Sequence, residues 1–133
     1  MTGSTDTGPL MAVRRFVEGF NSDDMALALT ACADEMAIID DFAPYAWSGR
    51  GAAAAGSRDM VGMASEYRMS AWSVTLDEPS MEIVSDRGAY LVVPIDVRWL
   101  QDGAPAARRG FMTLVLHEDA EGWRISTLAW TWY

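Results

Sequence analysis

Asp40 is the residue in this sequence whose surroundings best suit proton-transfer chemistry. It lies in the stretch 34–42, which has the alternating pattern of a β-strand. Alternate side chains of a strand point to one face, so the carboxylate shares its face with Ile38 and Phe42. If that face lines a cavity, loss of water raises the pKa of Asp40 and makes it a useful general base. If the face meets solvent, Asp40 is only a surface charge.

The other reactive side chains offer weaker chemistry. Cys32, the only cysteine, lies in a helical pattern that favours a buried, inert thiol, and its being alone excludes an internal disulfide framework. His117, the only histidine, precedes an acidic turn and is expected to be exposed rather than catalytic. No metal site is predicted, because Asp40 and Asp41 point to opposite faces and no ligand cluster accompanies them. The segment 49–51 lacks the lysine and spacing of a phosphate loop, and no cofactor is predicted.

Length and charge narrow the class of protein. The chain of 133 residues suits a single domain over residues 9–133, preceded by a loose tail at residues 1–8. Its formal net charge of -9 opposes binding to nucleic acid or to an anionic membrane, and the pair Arg108 and Arg109 is interpreted as solvated surface. No apolar run is long enough to span a bilayer and the first residues do not form a secretion signal, so a cytoplasmic protein is expected.

Three helices are predicted in the first half of the chain. The first begins at Pro9 and carries an apolar stripe that includes Phe16 and Phe20. Ser22 is expected to cap a second helix that runs to about Ala33. After the strand at 34–42, a loop over residues 43–49 holds two aromatic residues, and a third helix runs from Gly51 to Tyr67.

The second half of the chain has the period of β-strands. One long bent strand interrupted by Pro79 is predicted over residues 72–84, and further strands over 90–100, 109–117 and 123–133. Short turns between them require antiparallel pairing. The predicted fold is α+β, with three N-terminal helices packed on a strongly curved, mostly antiparallel sheet.

This order of elements resembles the NTF2-like superfamily, whose cone-shaped, cystatin-like fold includes the SnoaL-like polyketide cyclases and the ketosteroid isomerases. The resemblance covers nearly the whole chain. Its more specific parts are residues 33–35 leading into 38–40, Ser48-Gly49 before the third helix, and the closing segments 122–125 and 129–132.

The resemblance implies that Asp40 transfers a proton, but it also shows that the two hydrogen-bond donors of the isomerase site are missing. Asp40 falls on the aspartate that moves the proton in ketosteroid isomerases, where a tyrosine and a protonated aspartic acid stabilise the enolate. Phe16 and Met112 fall at those two positions, and neither side chain can donate a hydrogen bond. Each lost donor typically costs about 3 to 4 kcal/mol of barrier, so steroid isomerase chemistry in its usual form is not expected.

Strand parity and the resemblance together predict a pocket for a flat or hydrophobic small molecule, with Tyr45, Trp47 or Tyr67 orienting it. The alternative is a cone filled by its own side chains. The predicted pocket residues are Phe16, Phe20, Tyr45, Trp47, Met63, Tyr67, Trp99, Met112, Leu128, Trp130 and Trp132.

Three functions remain open at this stage. The first is an isomerase, cyclase or hydratase type of enzyme with Asp40 as base, and the second is a non-catalytic carrier or sensor with the same pocket. The third is an interaction module with a filled cone. A homodimer through the outer sheet face is expected, because Tyr90, Val92 and Pro94 would otherwise be uncovered there, beside Asp96 and Arg98.

Overall fold

The computed structural model describes residues 8–133, so the tail expected at residues 1–8 lies outside the described residues except for Gly8. No helix in this described part is long and apolar enough to cross a membrane. The helices are α1 (Pro9–Asn21), α2 (Met25–Leu29) and α3 (Ala52–Glu66), and the strands are β1 (Cys32–Ile39), β2 (Ala46–Arg50), β3 (Met69–Leu76), β4 (Met81–Ser85), β5 (Gly88–Gln101), β6 (Ala104–Asp119) and β7 (Gly122–Trp132).

All seven strands form one mixed sheet in the order β2-β1-β7-β6-β5-β3, and β4 also pairs with β5. The β1–β7 pair is parallel and the other pairs are antiparallel. The single bent strand predicted over residues 72–84 is in fact two strands. Asp77 and Ser80 still donate backbone hydrogen bonds to β5, at 2.9 and 2.8 Å, but Pro79 has no N–H to continue the ladder between them.

Helix α2 is shorter than predicted. It ends at Leu29 instead of continuing to about Ala33, and Asp24, not Ser22, accepts the capping hydrogen bond, from Leu27 N. Ile125 N donates to Ala31 O at 2.8 Å, which draws the chain into the sheet. Cys32 therefore begins β1 instead of lying in a helix, because pairing with β7 outweighs the local helix propensity.

The first helix is tied to the far edge of the sheet by one side chain. Asn21 Nδ2 donates to Val74 O at 2.8 Å, and Val74 N donates to Asn21 Oδ1 at 2.7 Å. Gly19 lets α1 approach α2 closely, since a Cβ there would lie 2.9 Å from Ala28 Cα. These contacts hold α1 across the sheet opening, where Phe16 and Phe20 lie.

The core fills only one end of the cone. Inner-face aliphatic side chains of the three long strands are fully buried, as the alternation predicts. Larger aromatic side chains towards the other end of the same faces are only partly buried. The aromatic end of these faces is therefore less completely covered than the aliphatic end. The fully buried strand residues include Leu91, Val93, Ile95, Met112, Leu114, Leu116 and Ile125.

Candidate functional site

An open cavity of about 650 Å³ lies at the wide end of the cone. Elements α1, β1, β2, α3 and the inner faces of the long strands contribute to its wall. Its lining is rich in aromatic and methionine side chains, a composition suited to an apolar ligand. Of the predicted pocket residues, the cavity is lined by Phe16, Phe20, Tyr45, Trp47, Met63, Tyr67, Trp99, Leu128, Trp130 and Trp132.

Met112 does not line this cavity. It lies opposite Val93 and Trp130 in the sheet and is completely buried in the core. It therefore belongs to the filled narrow end. Phe16 does line the cavity, with its ring centre 6.4 Å from that of Trp130, but a phenyl ring supplies no hydrogen-bond donor.

A hairpin holds Asp40 at the rim of the sheet. Strand β1 ends at Ile39, and Asp40 N then donates to Tyr45 O at 3.1 Å, while Tyr45 N donates to Phe42 O at 2.8 Å. The loop predicted over residues 43–49 is wrong in its second half, because residues 46–50 form β2 and pair with β1, so that Trp47 lies opposite Ile38 and is buried. Asp40 is thus in a tight turn and not inside a strand.

The two oxygens of the Asp40 carboxylate have different surroundings. Oδ1 accepts hydrogen bonds from Trp132 Nε1 at 3.1 Å and from Asp41 N at 2.7 Å. Oδ2 has no hydrogen-bond or ion-pair partner among residues 8–133. Asp40 is half-buried and lines the cavity. The carboxylate is therefore held by one oxygen and leaves the other without a protein partner.

Burial raises the pKa of Asp40 from 3.8 to about 6. The hydrogen bonds from Asp41 N and from Trp132 oppose this rise by stabilising the charged form, whereas the charge of the Asp41 carboxylate and its hydrogen bond with the protonated Asp40 carboxyl group add to it. Removal from water outweighs the two donors. A carboxyl group of this pKa is mostly ionised at pH 7 and can both accept and return a proton there.

Trp132 is itself held by its neighbours. The Arg108 guanidinium lies 5.0 Å from the Trp132 ring centre and pairs with Asp41 Oδ2 at 2.9 Å. The indole also lies against Gly110, where a Cβ would be 2.8 Å from Trp132 Cε3. Arg108 is exposed, as interpreted from the sequence, and it also borders the cavity. Its parity with Gly110 and Met112 on β6 was the signal that placed it on the inner face.

Asp41 also differs from its predicted orientation. It was expected to point away from Asp40, but it borders the same cavity and donates its own N–H to the Asp40 carboxylate. The strict alternation of strand side chains ends at Ile39, so both acids lie in the turn that follows.

A second aromatic group forms the part of the wall farther along the sheet. Trp72 and Trp99 are stacked with ring centres 5.2 Å apart, and Trp99 Nε1 donates to Gln101 Oε1 at 3.1 Å. At the other edge of the sheet, Trp47 on β2 donates its Nε1–H to Asp59 Oδ2 at 2.8 Å. These three rings offer mainly flat apolar surface, because two of their three N–H groups already have partners.

The remaining reactive side chains lie outside the cavity. Burial raises the pKa of the Cys32 thiol to about 12, so the thiol is inert, and its Sγ lies 3.6 Å from Ala28 O. His117 is exposed, as predicted, although it lies within β6, with Nδ1 3.0 Å from Ser126 Oγ. Residues 8–133 contain no group of three His, Cys, Asp or Glu side chains able to hold a metal ion.

Known proteins resemble this chain in sequence family and in fold. The SnoaL-like domain profile matches residues 10–128 of the chain. No curated protein matches. A candidate calcium/calmodulin-dependent protein kinase type II association domain from Thiobacillus denitrificans is 23% identical, with a TM-score of 0.74 and coverage of 95% of both chains.

Two further solved structures have a similar architecture. A candidate ketosteroid isomerase from Shewanella frigidimarina is 16% identical, with a TM-score of 0.73 and coverage of 95% of this chain and 96% of that one. A nuclear transport factor 2 superfamily protein from Salmonella enterica is 15% identical, with a TM-score of 0.74 and coverage of 92% and 86%. At these identities the likeness establishes the fold alone, which is the NTF2-like, cystatin-like fold.

Proposed function

Because this chain belongs to the SnoaL-like domain family, we propose that its cavity binds a small hydrophobic molecule and that Asp40 acts on it as a general base. The reaction would be of the isomerase, cyclase or hydratase type and would use no cofactor. The observation that carries this proposal is a half-buried carboxylate, with one unpartnered oxygen, in the wall of an aromatic cavity.

The differing surroundings of the carboxylate oxygens support the role of base. Two donors on Oδ1 fix the orientation of the Asp40 side chain, which reduces the entropy cost of aligning it with a substrate. Oδ2 is then the proton acceptor. Since the pKa of Asp40 is about 6, the group is ionised near neutral pH and still basic enough to take a proton in a transition state.

The proposed reaction is not that of a standard ketosteroid isomerase. Phe16 cannot donate to an enolate oxygen, and Met112 is buried away from the cavity. Tyr45 and Tyr67 are 60% and 58% exposed, so we place them at the mouth, where they would orient an entering ligand. Trp47 would contribute its ring face, because its N–H already binds Asp59.

Two measurements on Asp40 test the proposal. The carboxyl ¹³C signal of Asp40 should titrate near pH 6 and shift when a flat apolar probe such as 2-acetylnaphthalene is added. In D₂O the wild type should also catalyse deuterium exchange at the methyl group beside the ketone, and Asp40→Asn should not. A titration near the ordinary value of about 4, with no response to the probe, would remove the catalytic role. Asp34→Asn, an exposed acid on β1, is the matched control.

A carrier or sensor with the same cavity is the second candidate function. The lack of a donor at Phe16 favours it, because binding an apolar molecule needs no such donor whereas enolate chemistry does. In that case Asp40→Asn would bind 2-acetylnaphthalene as tightly as the wild type, and neither protein would accelerate exchange.

We further propose that two copies pair through the outer face of the sheet. Ile83 and Tyr90 are neighbours across β4 and β5, are 56% and 38% exposed, and form part of an apolar surface with Met81 and Tyr133. Sedimentation of the wild type should give a dimer that Ile83→Asp weakens. Val84→Asp is the control, because Val84 is also exposed but points to the opposite face of β4.

A further inference from the structure

The indole N–H groups around the cavity fall into two sets. Five tryptophans line the cavity, and three of their N–H groups donate to protein acceptors. Trp72 and Trp130 have no such partner in the described part of the chain, and that part contains no buried side-chain nitrogen without a partner. Both of these N–H groups therefore reach solvent-accessible space. The two rings line the cavity, and neither N–H is taken by a protein acceptor.

Trp130 lies near Asp40 through their shared neighbour Trp132. The last pair between β1 and β7 is Ile39 opposite Ala129, and Asp40 and Trp130 are the residues that follow these two along the chain. Trp130 and Trp132 are two residues apart on β7, so their side chains lie on one face of the sheet. Trp130 is also stacked on Trp132, the donor to Asp40 Oδ1, with ring centres 5.9 Å apart and planes 7° apart.

We propose that the Trp130 N–H donates a hydrogen bond to a carbonyl oxygen of the ligand while Asp40 Oδ2 faces the C–H group next to that carbonyl. The ligand class is then a flat, largely apolar ketone or related carbonyl compound. This inference rests on the proposed function and supplies the oxyanion donor that Phe16 does not. A carbonyl oxygen and the carbon next to the carbonyl group are only two bonds apart, so the proposed contacts require the ligand carbonyl to lie between the Trp130 N–H and Asp40 Oδ2.

The chemical step consumes no other reactant. The C–H bond breaks, its proton goes to Asp40 Oδ2, and its electron pair forms a C=C bond while the carbonyl π pair moves to oxygen. The resulting enolate oxygen accepts from Trp130 Nε1. Return of a proton from Asp40 to a carbon of the enolate restores the carbonyl, at the original position or at a conjugated one; in D₂O the Oδ2–H exchanges with solvent before it returns, so deuterium enters the ketone. An indole N–H stays protonated across the whole physiological pH range, so this donor does not depend on pH.

Four of the other unpartnered donors on the cavity wall are less well placed than Trp130. Tyr45 and Tyr67 are 60% and 58% exposed, and Arg58 on α3 is also exposed. Trp72 lies on β3, at the opposite edge of the sheet order from β1. Trp130 is on β7, the strand that pairs directly with β1, and it is only partly exposed.

The experiment compares two probes of one shape, 2-acetylnaphthalene and 2-ethylnaphthalene, which has no acceptor. Trp130→Phe should weaken binding of the ketone about 3- to 10-fold, the usual loss for one hydrogen bond, and leave binding of the hydrocarbon within about twofold. Deuterium exchange into the ketone should fall by about 100-fold, as for loss of one oxyanion donor. Trp72→Phe is the matched control, because it makes the same substitution elsewhere on the cavity wall. Any loss of ring contact there should weaken both probes alike, so the ratio of ketone to hydrocarbon affinity should stay unchanged.

Indole ¹⁵N–¹H spectra identify the donor directly, because each of the six tryptophans of the chain gives one indole N–H signal. The signal that is missing from Trp130→Phe should move when the ketone is added to the wild type and stay in place with the hydrocarbon. If Trp130→Phe does not fold, Overhauser contacts from the moving N–H to the rings of Phe16 and Phe20, which lie against Trp130, make the assignment in the wild type.

The outcomes separate this inference from the proposed function. If both probes bind and the affinity ratio is unchanged in Trp130→Phe, or if another indole signal responds, the role of Trp130 is wrong and the cavity remains a binding site. If neither probe binds to the wild type, the proposed function and this inference both fail.

Discussion

Replacing Asp40 by asparagine should make the folded protein more stable above pH 6. Burial raises the pKa of Asp40 from 3.8 to about 6, so the folded chain holds this proton more tightly than the unfolded chain does. Stability therefore falls as pH rises through the window from about 4 to about 6, and the full penalty is present above it. Asparagine keeps the acceptor for Trp132 Nε1 and Asp41 N but carries no charge to desolvate.

The size of this effect follows from the pKa values. The rise from 3.8 to about 6 corresponds to about 3 kcal/mol if the carboxylate were fully shielded from solvent. Asp40 is only half-buried, so solvent screening reduces the expected gain to roughly 1–2 kcal/mol. Asp40→Asn should thus exceed the wild type by this amount at pH 7 to 8, and the two should converge below about pH 4.

Urea denaturation followed by circular dichroism between pH 3.5 and pH 8 measures this difference. Subtracting the Asp40→Asn curve from that of the wild type cancels the titration of the other acids. Asp34→Asn removes an exposed carboxylate from the same strand and is the control for a simple change in net charge. A difference between wild type and Asp40→Asn that stays flat across the window would show that Asp40 is solvated in the folded state, and the argument for a buried base would then be wrong.

Three further predictions concern the surroundings of this group. Trp132→Phe removes a donor to the charged form, so the pKa of Asp40 should rise above about 6 in a ¹³C titration. Gly110→Ala should lower the free energy of unfolding by about 1–3 kcal/mol in urea, because a Cβ there overlaps the carbonyl oxygen of Thr131 and crowds the Trp132 ring. Cys32 should not react with Ellman's reagent in the native protein at pH 8 but should react after unfolding, because burial raises the pKa of its thiol to about 12.

The long periodic elements could be predicted from the sequence. Helices α1 and α3 and strands β5 to β7 each carry a long apolar pattern with the period of a helix or of a strand. The structure has them within two residues of the predicted bounds, except that β6 begins five residues earlier, at Ala104. The errors fall on short segments whose structure depends on distant partners. Strand β2 exists because it pairs with β1, and α2 ends early because residue 31 joins β7. Local propensity does not contain such information.

For the candidate site, the sequence indicates which residues line the cavity but not how their polar atoms are oriented. Parity along β1 predicted Asp40 among apolar side chains, and parity together with the family resemblance predicted Leu128, Trp130 and Trp132 in the pocket; all four residues line the cavity. Parity does not give the direction of an indole N–H, nor can it anticipate that a turn brings the N–H of Asp41 onto the Asp40 carboxylate. Only the side-chain geometry shows that Oδ1 of Asp40 accepts two hydrogen bonds while Oδ2 accepts none.

The position of the acid at the end of β1 explains how one carboxylate can be both partly buried and free to react. One residue earlier, Ile39 is 54% exposed, so an acid there would be solvated with an ordinary pKa. Two residues earlier, Ile38 is paired with β2 on one side and with β7 on the other. The backbone N–H groups around it are used for hydrogen bonds within the sheet. Asp40 follows the last paired residue, so the N–H of Asp41 is released from the ladder and can hold Oδ1. The chain thereby fixes the carboxylate without using the oxygen that we propose takes the proton.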